Sequence, residues 1–327
     1  KAAPVLYDQR LLQRNPAGLR GVVINSGCAN ACTGEQGMRD AEATAATAAE
    51  ALGVAADTIA VMSTGVIGQP LPMDKIVPGV QQAARQKAAT AEAGHAAARA
   101  IMTTDTRPKE AAVRVTGETG TFVVAGMVKG AGMICPNMAT MLSLIVTDAP
   151  LTSALAQAAL RDAVEVSYNR ITVDGDMSTN DTVLLLANGA ADMPPLTSRE
   201  AADYRYFVEA LTQVATALAQ AVVRDGEGAT RFVEITVSGA RDRAEARQVA
   251  MSVANSALVK TAIYGQDANW GRIVCAVGYS GVEIDPARVG VWLGDLELAR
   301  AGAPYDINEE RASAILAQTD IPIRITL

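Results

Sequence analysis

The chain has 327 residues, half of them hydrophobic, and a formal net charge of −7. That acidic balance, with Lys and Arg scattered along the chain, argues against a nucleic-acid partner, which normally requires a clustered basic face. No run approaches the roughly 18 apolar residues of a membrane-spanning helix, so no bilayer crossing is expected.

In chain order, strand-like runs at 20–25 and 59–62 flank a helical pattern at 38–52. An Ala-rich helical stretch at 80–102 precedes strand-like runs at 112–116, 122–125 and 142–147. A helix at 153–165, a strand at 182–186, a helix at 198–223, a strand at 232–237 and a helix at 241–256 follow. Strand-like runs at 273–277 and 289–293, a helix at 308–317 and a last strand at 321–327 complete the series. Thr152-Ser153 and Thr197-Ser198 offer N-caps, and Met193-Pro194-Pro195-Leu196 is the clearest punctuation. Strands and helices in comparable number predict layered α/β packing. A chain this long can bury one large core or two smaller ones, and two lobes are expected. No signal-peptide pattern opens the sequence, and the expected location is the cytoplasm.

Four cysteines, Cys28, Cys32, Cys135 and Cys275, suit reduced thiols in a cytoplasmic protein. With His95 as the single histidine, ligands for a zinc site are too few, and no metal is expected. The oxygen-rich segment from Asp174-Gly175-Asp176 to Thr182 lacks the spaced Glu of a calcium loop and reads as a polar turn supporting a site. His95 also limits catalysis: Ser-His-Asp and Cys-His schemes need it as base, yet it lies within the Ala-rich helical stretch.

Thr140 offers another base. It follows Ala139 and precedes the apolar run that begins at Met141. A Thr hydroxyl is a weak nucleophile unless activated, and its own α-amine, with a pKa of about 7.7–8.0, can do this when the Thr is N-terminal. Attack of the Thr140 hydroxyl on the Ala139 carbonyl would create that amine. Small Ala139, permissive Gly130 and Gly132, and helix-breaking Pro136 suit such a connector. An ordinary loop feeding a strand is the plain alternative.

Further motifs are spread along the chain: 25–34 from Asn25-Ser26-Gly27-Cys28, Ser63-Thr64-Gly65 to Gly68, Thr103-Thr104-Asp105-Thr106, and Lys129-Gly130-Ala131-Gly132 to Leu142. They continue through Thr172 to Thr182, Asp225-Gly226-Glu227-Gly228, Val259 to Gly265, and Asp267 to Arg272. In this order, over nearly the whole chain, they resemble the ornithine acetyltransferase family, the bifunctional glutamate N-acetyltransferases. Asp267 to Arg272 stays open between a structural and a supporting role, and Cys28 stands where the family more often has Asn. Members of the family usually extend further at both ends, so the chain reads as trimmed, with part of the substrate site in an absent C-terminal tail.

The resemblance implies an α/β (α+β) fold, an αββα-like layered sandwich shared with self-processing aminopeptidases. It implies self-cleavage between Ala139 and Thr140 into an α segment, 1–139, and a β segment, 140–327, assembled as a heterotetramer of two of each. It makes Thr140 the nucleophile that carries acetyl from N-acetylornithine to glutamate in arginine biosynthesis. Thr64 and Gly65 form the oxyanion hole, and Thr103, Lys129, Thr140 and Glu227 bind substrate. No cofactor is implied, although acetyl-CoA serves some members as acetyl donor. Two other readings stand beside this one: a self-processing aminopeptidase or amidohydrolase using the same Thr, and a binding protein that keeps the fold without the chemistry.

Overall fold

The computed structural model describes residues 1–135, 141–306 and 308–327. It divides into two units, Lys1–Ile171 with Asp176–Glu227, and Thr172–Gly175 with Gly228–Leu327. The first unit opens with helix α1 (Ala3–Arg14), which carries Pro4 in its first turn, where a missing N–H costs nothing. Strand β1 (Gly21–Asn25), helix α2 (Gly34–Leu52) and strand β2 (Ile59–Ser63) follow. The two strands pair in parallel, from Gly21 opposite Ile59 to Asn25 opposite Ser63, and α2 is the crossover that a parallel pair requires. Every residue of β2 is buried, which explains its unbroken Ile-Ala-Val-Met run. Ile59 and Val61 pack on Ala45, Ala48 and Ala49 of α2, while Ala60 and Met62 turn the other way, onto Leu142 and Leu184.

Helices α3 (Met73–Gln86) and α4 (Ala91–Ala100) lead into the antiparallel strands β3 (Lys109–Thr116) and β4 (Thr121–Lys129). Strand β5 (Leu142–Thr147) lies antiparallel to β4, from Lys129 opposite Leu142 to Val124 opposite Thr147. Helix α5 (Ser153–Val166) then crosses over to β6 (Thr182–Ala187), parallel to β5, giving a sheet ordered β3-β4-β5-β6. Helix α6 (Ala202–Arg224) packs with α5 and lies against β3 and β4, and the rings of Phe207 and Phe122 meet at 6.0 Å between centroids. By length and composition α6 could cross a membrane. Here Phe207, Leu211, Val214, Leu218 and Val222, at helical spacing, form the buried stripe of a core helix. The layers of this unit are therefore helix, β1–β2, the four-stranded sheet and helix, the αββα order expected from the resemblance.

A cavity of about 830 Å³ lies among α1, α5 and β6, walled by Leu12, Leu160, Leu184 and Leu186, with Met141 and Asp181 also lining it. None of Thr64, Thr103, Lys129 or Glu227 reaches it.

The second unit contains β7 (Phe232–Ser238), α7 (Arg243–Asn255), α8 (Ala257–Tyr264) and α9 (Trp270–Gly278). Strands β8 (Gly290–Leu293), β9 (Leu296–Arg300) and β10 (Ala303–Pro304) come next, then α10 (Glu309–Leu316) and β11 (Asp320–Thr326). The sheet runs β10-β9-β8-β11-β7. In β11, Ile321, Ile323 and Ile325 are buried while Asp320, Pro322 and Arg324 are exposed. Each buried isoleucine contributes about 1.5–3 kcal/mol, and together they join Val249 and Val253 of α7 and Ile273, Ala276 and Val277 of α9 in one core.

Three sequence expectations are corrected. The run at 273–277 is helix α9, because Ile273, Ala276 and Val277 fall at spacings of three and four that bury one face of a helix. The stretch at 80–102 is two helices, and Thr90 caps the second by accepting from the Ala93 N–H at 3.2 Å. Ser198 does not cap α6; its hydroxyl engages Glu200, and the helix begins at Ala202.

Candidate active site

Beyond β2 the chain makes a turn that only glycine fits. Gly65 has φ 126°, and a β-carbon there would stand 2.2 Å from the Gly27 carbonyl carbon and 2.6 Å from the Cys28 nitrogen. Those are backbone atoms, so no side chain can move aside. Three backbone bonds pin the turn: the Thr64 N–H donates to the Asn25 oxygen at 3.1 Å, the Val66 N–H to Gly27 at 3.1 Å, and the Ala29 N–H to Val66 at 2.9 Å. Beneath it, the Ser63 hydroxyl donates to Asn25 at 2.6 Å, and Asn25 donates to the Cys28 carbonyl at 2.8 Å. Asn180 donates to the carbonyls of Ala29 at 2.6 Å and Ser63 at 2.9 Å. The Thr64 hydroxyl and the Gly65 amide thus sit on neighbouring residues of a fixed rim.

This fixes a contrast between two glycines. On the oxyanion-hole role that the resemblance implies for it, Gly65→Ala should cut acetyl transfer about 10²- to 10³-fold, the loss expected when such a donor is displaced. Gly68→Ala, with φ 81° but nothing within 4 Å of its new β-carbon, should cost only about 1 kcal/mol of strain and leave transfer within a few-fold. Ornithine release by both variants checks this.

Lys129, the last residue of β4, is 5% exposed, and its Nζ donates to Thr64 Oγ1 at 3.2 Å. Burial holds its ammonium below the ordinary lysine value, against the attraction of Asp105, with Asp181 and Glu227 also attracting it. Asp105 is the hub behind it, accepting from the Gly130 N–H at 2.7 Å, the Thr103 N–H at 3.0 Å and Lys109 Nζ at 2.6 Å. Burial works to raise the Asp105 carboxyl, but these donors together hold it below the usual carboxylate value. Lys109 also donates to Asp225 at 2.6 Å, and Asp225 accepts from both the N–H and the hydroxyl of Thr106. Asp225 likewise lies below the usual value, its burial outweighed by Lys109 and Thr106. The C-terminal end of α6, the 103–109 segment and the exit of β4 are tied together in this way.

Glu227 is exposed, and its N–H donates to the Ala131 carbonyl at 2.8 Å. Its carboxyl lies directly over Gly132, where a β-carbon would come within 2.7 Å of it. Of the residues singled out in the sequence, Thr64, Gly65 and Lys129 come together directly. Thr103 and Glu227 are joined to the same segment, 130–132, through Asp105 and through backbone. Ala139 and Thr140 lie outside the described residues. The buried network of Asp105, Lys109 and Asp225 was not anticipated; Asp105 and Asp225 stood inside quoted motifs, but spacing does not reveal that one lysine serves both.

The arrangement places an oriented ammonium, a hydroxyl, a glycine amide and an outlying carboxylate around one short segment. That set suits stabilisation of a developing oxyanion beside an amino-acid substrate. Among the described residues no group of three or more His, Cys, Asp and Glu side chains could hold a metal ion.

The family model named ArgJ matches residues 1–327. The chain belongs to the ArgJ family. The arginine biosynthesis bifunctional protein ArgJ of Symbiobacterium thermophilum is 50% identical over 98% of this chain and 79% of its own length. The protein of the same name from Geobacter sulfurreducens is 48% identical over 100% of this chain and 82% of its own. A crystal structure of the Bacillus halodurans ArgJ protein superposes with a TM-score of 0.56 at 43% identity, covering 57% of this chain and 88% of that one. The ArgJ relationship bears out the resemblance carried by the motif series, and the ArgJ structure agrees with the layered α/β class.

Proposed function

We propose that this ArgJ chain cuts itself between Ala139 and Thr140 and then uses Thr140 to carry an acetyl group from N-acetylornithine to glutamate. The chain is an acetyltransferase of arginine biosynthesis, and the assignment of roles to its residues is the proposal. The freed Thr140 amine takes the hydroxyl proton, the oxygen bonds to the acetyl carbon, and the C–N bond of N-acetylornithine breaks as its nitrogen receives a proton. Glutamate's amine then attacks the acetyl carbon, the ester C–O bond breaks as the Thr140 oxygen takes back a proton by way of its amine, and N-acetylglutamate leaves, so the reaction is ping-pong.

The observation that carries this reading is the bond from Lys129 Nζ to Thr64 Oγ1. Because the Thr64 oxygen accepts from an ammonium, its own hydrogen is left to donate outward. Beside the Gly65 amide, that makes a pair of donors for the tetrahedral oxyanion, each worth on the order of 3 kcal/mol. Glu227 holds a substrate ammonium, and Thr103 and Lys129 contact the rest of the amino acid. The segments 1–139 and 140–327 stay together as a two-plus-two assembly in the cytoplasm, with no resident cofactor; acetyl-CoA is a possible second donor.

Intact-mass measurement tests the proposal. Incubation with N-acetylornithine alone should give two segments, the 140–327 piece heavier by one acetyl group, and added glutamate should remove it. An uncut chain that gains no acetyl would overturn the assignment. Release of acetate at the same rate without glutamate would instead favour the amidohydrolase reading.

A further inference from the structure

Asn180 stands just ahead of β6 and is 7% exposed. Its side-chain nitrogen donates to the carbonyls of Ser63 at 2.9 Å and Ala29 at 2.6 Å, residues 117 and 151 positions away. Two acceptors met by one side-chain atom call for an amide nitrogen, because a carboxylate or hydroxyl in its place lacks two hydrogens to give. The side-chain oxygen accepts from the Thr179 hydroxyl at 3.0 Å, and the Asn180 N–H donates to Ser178 Oγ at 3.1 Å, so the amide is fixed in one orientation. The Ser63 carbonyl and the Thr64 N–H belong to one planar peptide unit. Asn180 holds that unit at its oxygen, and the Asn25 carbonyl accepts from its nitrogen at 3.1 Å. Two units on, the Val66 N–H donates to Gly27 at 3.1 Å. The unit between them carries the Gly65 N–H, which donates to none of the described residues. Ala29, the second acceptor of Asn180, gives its own N–H to Val66 at 2.9 Å, so one side chain braces both flanks of the turn. Without Asn180 the Ser63 carbonyl would be left to take the Gly65 N–H two residues on, in a γ-turn, and withdraw that donor.

We propose that Asn180 is a positioning residue for the oxyanion-binding turn: by filling the Ser63 carbonyl and bracing it against Ala29, it keeps the Gly65 N–H uncommitted and ready for a substrate oxygen. This rests on the reading of Thr64 and Gly65 as oxyanion donors. A donor fixed before the reaction stabilises the developing charge at no cost of reorganisation, whereas one that must first leave a protein acceptor gives back part of that gain. Asn180 touches neither substrate nor reacting atoms. Its effect reaches them through the peptide unit it holds.

The test is Asn180→Asp in the full chain, which keeps the size of the side chain and removes both donors. Stabilisation confined to the transition state shows in kcat and not in KM. The variant should therefore lose about 10- to 100-fold in kcat for N-acetylornithine, with KM within about twofold, a smaller loss than outright removal of a donor. Added to Gly65→Ala, in which the turn is already displaced, Asn180→Asp should cost less than about threefold more, because residues that act through one element are not additive. Full multiplication of the two losses, a rise in KM alone, or a kcat within about twofold of the parent would overturn the proposal. Hydrogen exchange reads the same role without turnover, in cut or uncut chain: the amides of Thr64, Val66 and Ala29 should exchange about tenfold faster, while those of β5 stay as in the parent. Unchanged exchange at the turn would equally overturn it. Should Asn180→Asp fail to fold, Asn180→Ala, which brings no charge into the buried position, is read in its place. Transfer at the parent rate by both Thr64→Ala and Gly65→Ala would refute the oxyanion reading, whereas undiminished transfer by Asn180→Asp beside an impaired Gly65→Ala would refute only this role.

Discussion

Thr140→Ala should leave the chain in one piece and slow ornithine release from N-acetylornithine by at least about 10⁴-fold. The size of the loss follows from what remains. Without its nucleophile an acyl-transfer enzyme keeps only the oxyanion donors and substrate binding, which elsewhere support a residual 10³–10⁴-fold over water out of a far larger total. Cleavage should fail for the same reason, since in the proposed scheme one hydroxyl serves both reactions. Thr140→Ser, which keeps the oxygen, should retain cleavage and part of the transfer rate. Denaturing electrophoresis and ornithine assay on the three proteins decide the matter. A Thr140→Ala chain that still separates after Ala139 would remove the first step of the mechanism.

Lys109→Met should cost about 3–5 kcal/mol of stability at neutral pH. One buried ammonium stands between Asp105 and Asp225, and its removal leaves two buried carboxylates without their cation. The pH dependence gives the sign. In the parent protein both carboxyls lie below their unfolded values, so their contribution is complete above about pH 4 and is lost as pH falls through the folded values. In the variant burial is no longer opposed by Lys109, and the folded values rise above the unfolded ones. The contribution of these groups is then complete below about pH 4 and disappears as pH rises through the raised values. The gap between the proteins should therefore be widest near pH 7, narrow toward pH 4 as the variant regains its contribution, and narrow further below pH 4 as the parent loses its own, as read from denaturant midpoints. Activity should fall with stability, because Asp105 holds both the Gly130 and the Thr103 amides.

Much of this molecule could be read before its structure. The run 142–147 is strand β5 over the same residues, because an apolar β-branched sequence flanked by breakers has few other options. The run 273–277 shows where that reasoning fails. Five apolar residues carry too little periodicity to separate a strand from a buried helix, and packing against α7 and β8 selects the helix. Strand β9 was missed because Glu297 and Arg300 interrupt its apolar positions, although Leu296, Leu298 and Ala299 are buried. At the site, the contact between Lys129 and Thr64 joins residues 65 positions apart. Their motifs pointed to each residue, but only tertiary structure sets the ammonium on the hydroxyl. The partnership of Lys109 with Asp225, across 116 positions, left no local trace at all.

With the proposed cleavage, the pairing of β4 with β5 gives the mature molecule a particular vulnerability. A cut between positions 139 and 140 parts the covalent chain while the six-residue ladder from Lys129–Leu142 to Val124–Thr147 continues to lace the two pieces through the interior of one sheet. Folded, they have no easy way to separate. Once melted they are two molecules, and recovery becomes a second-order encounter that dilution slows. The uncut precursor can refold alone, whereas the working enzyme depends for its lifetime on how seldom it unfolds.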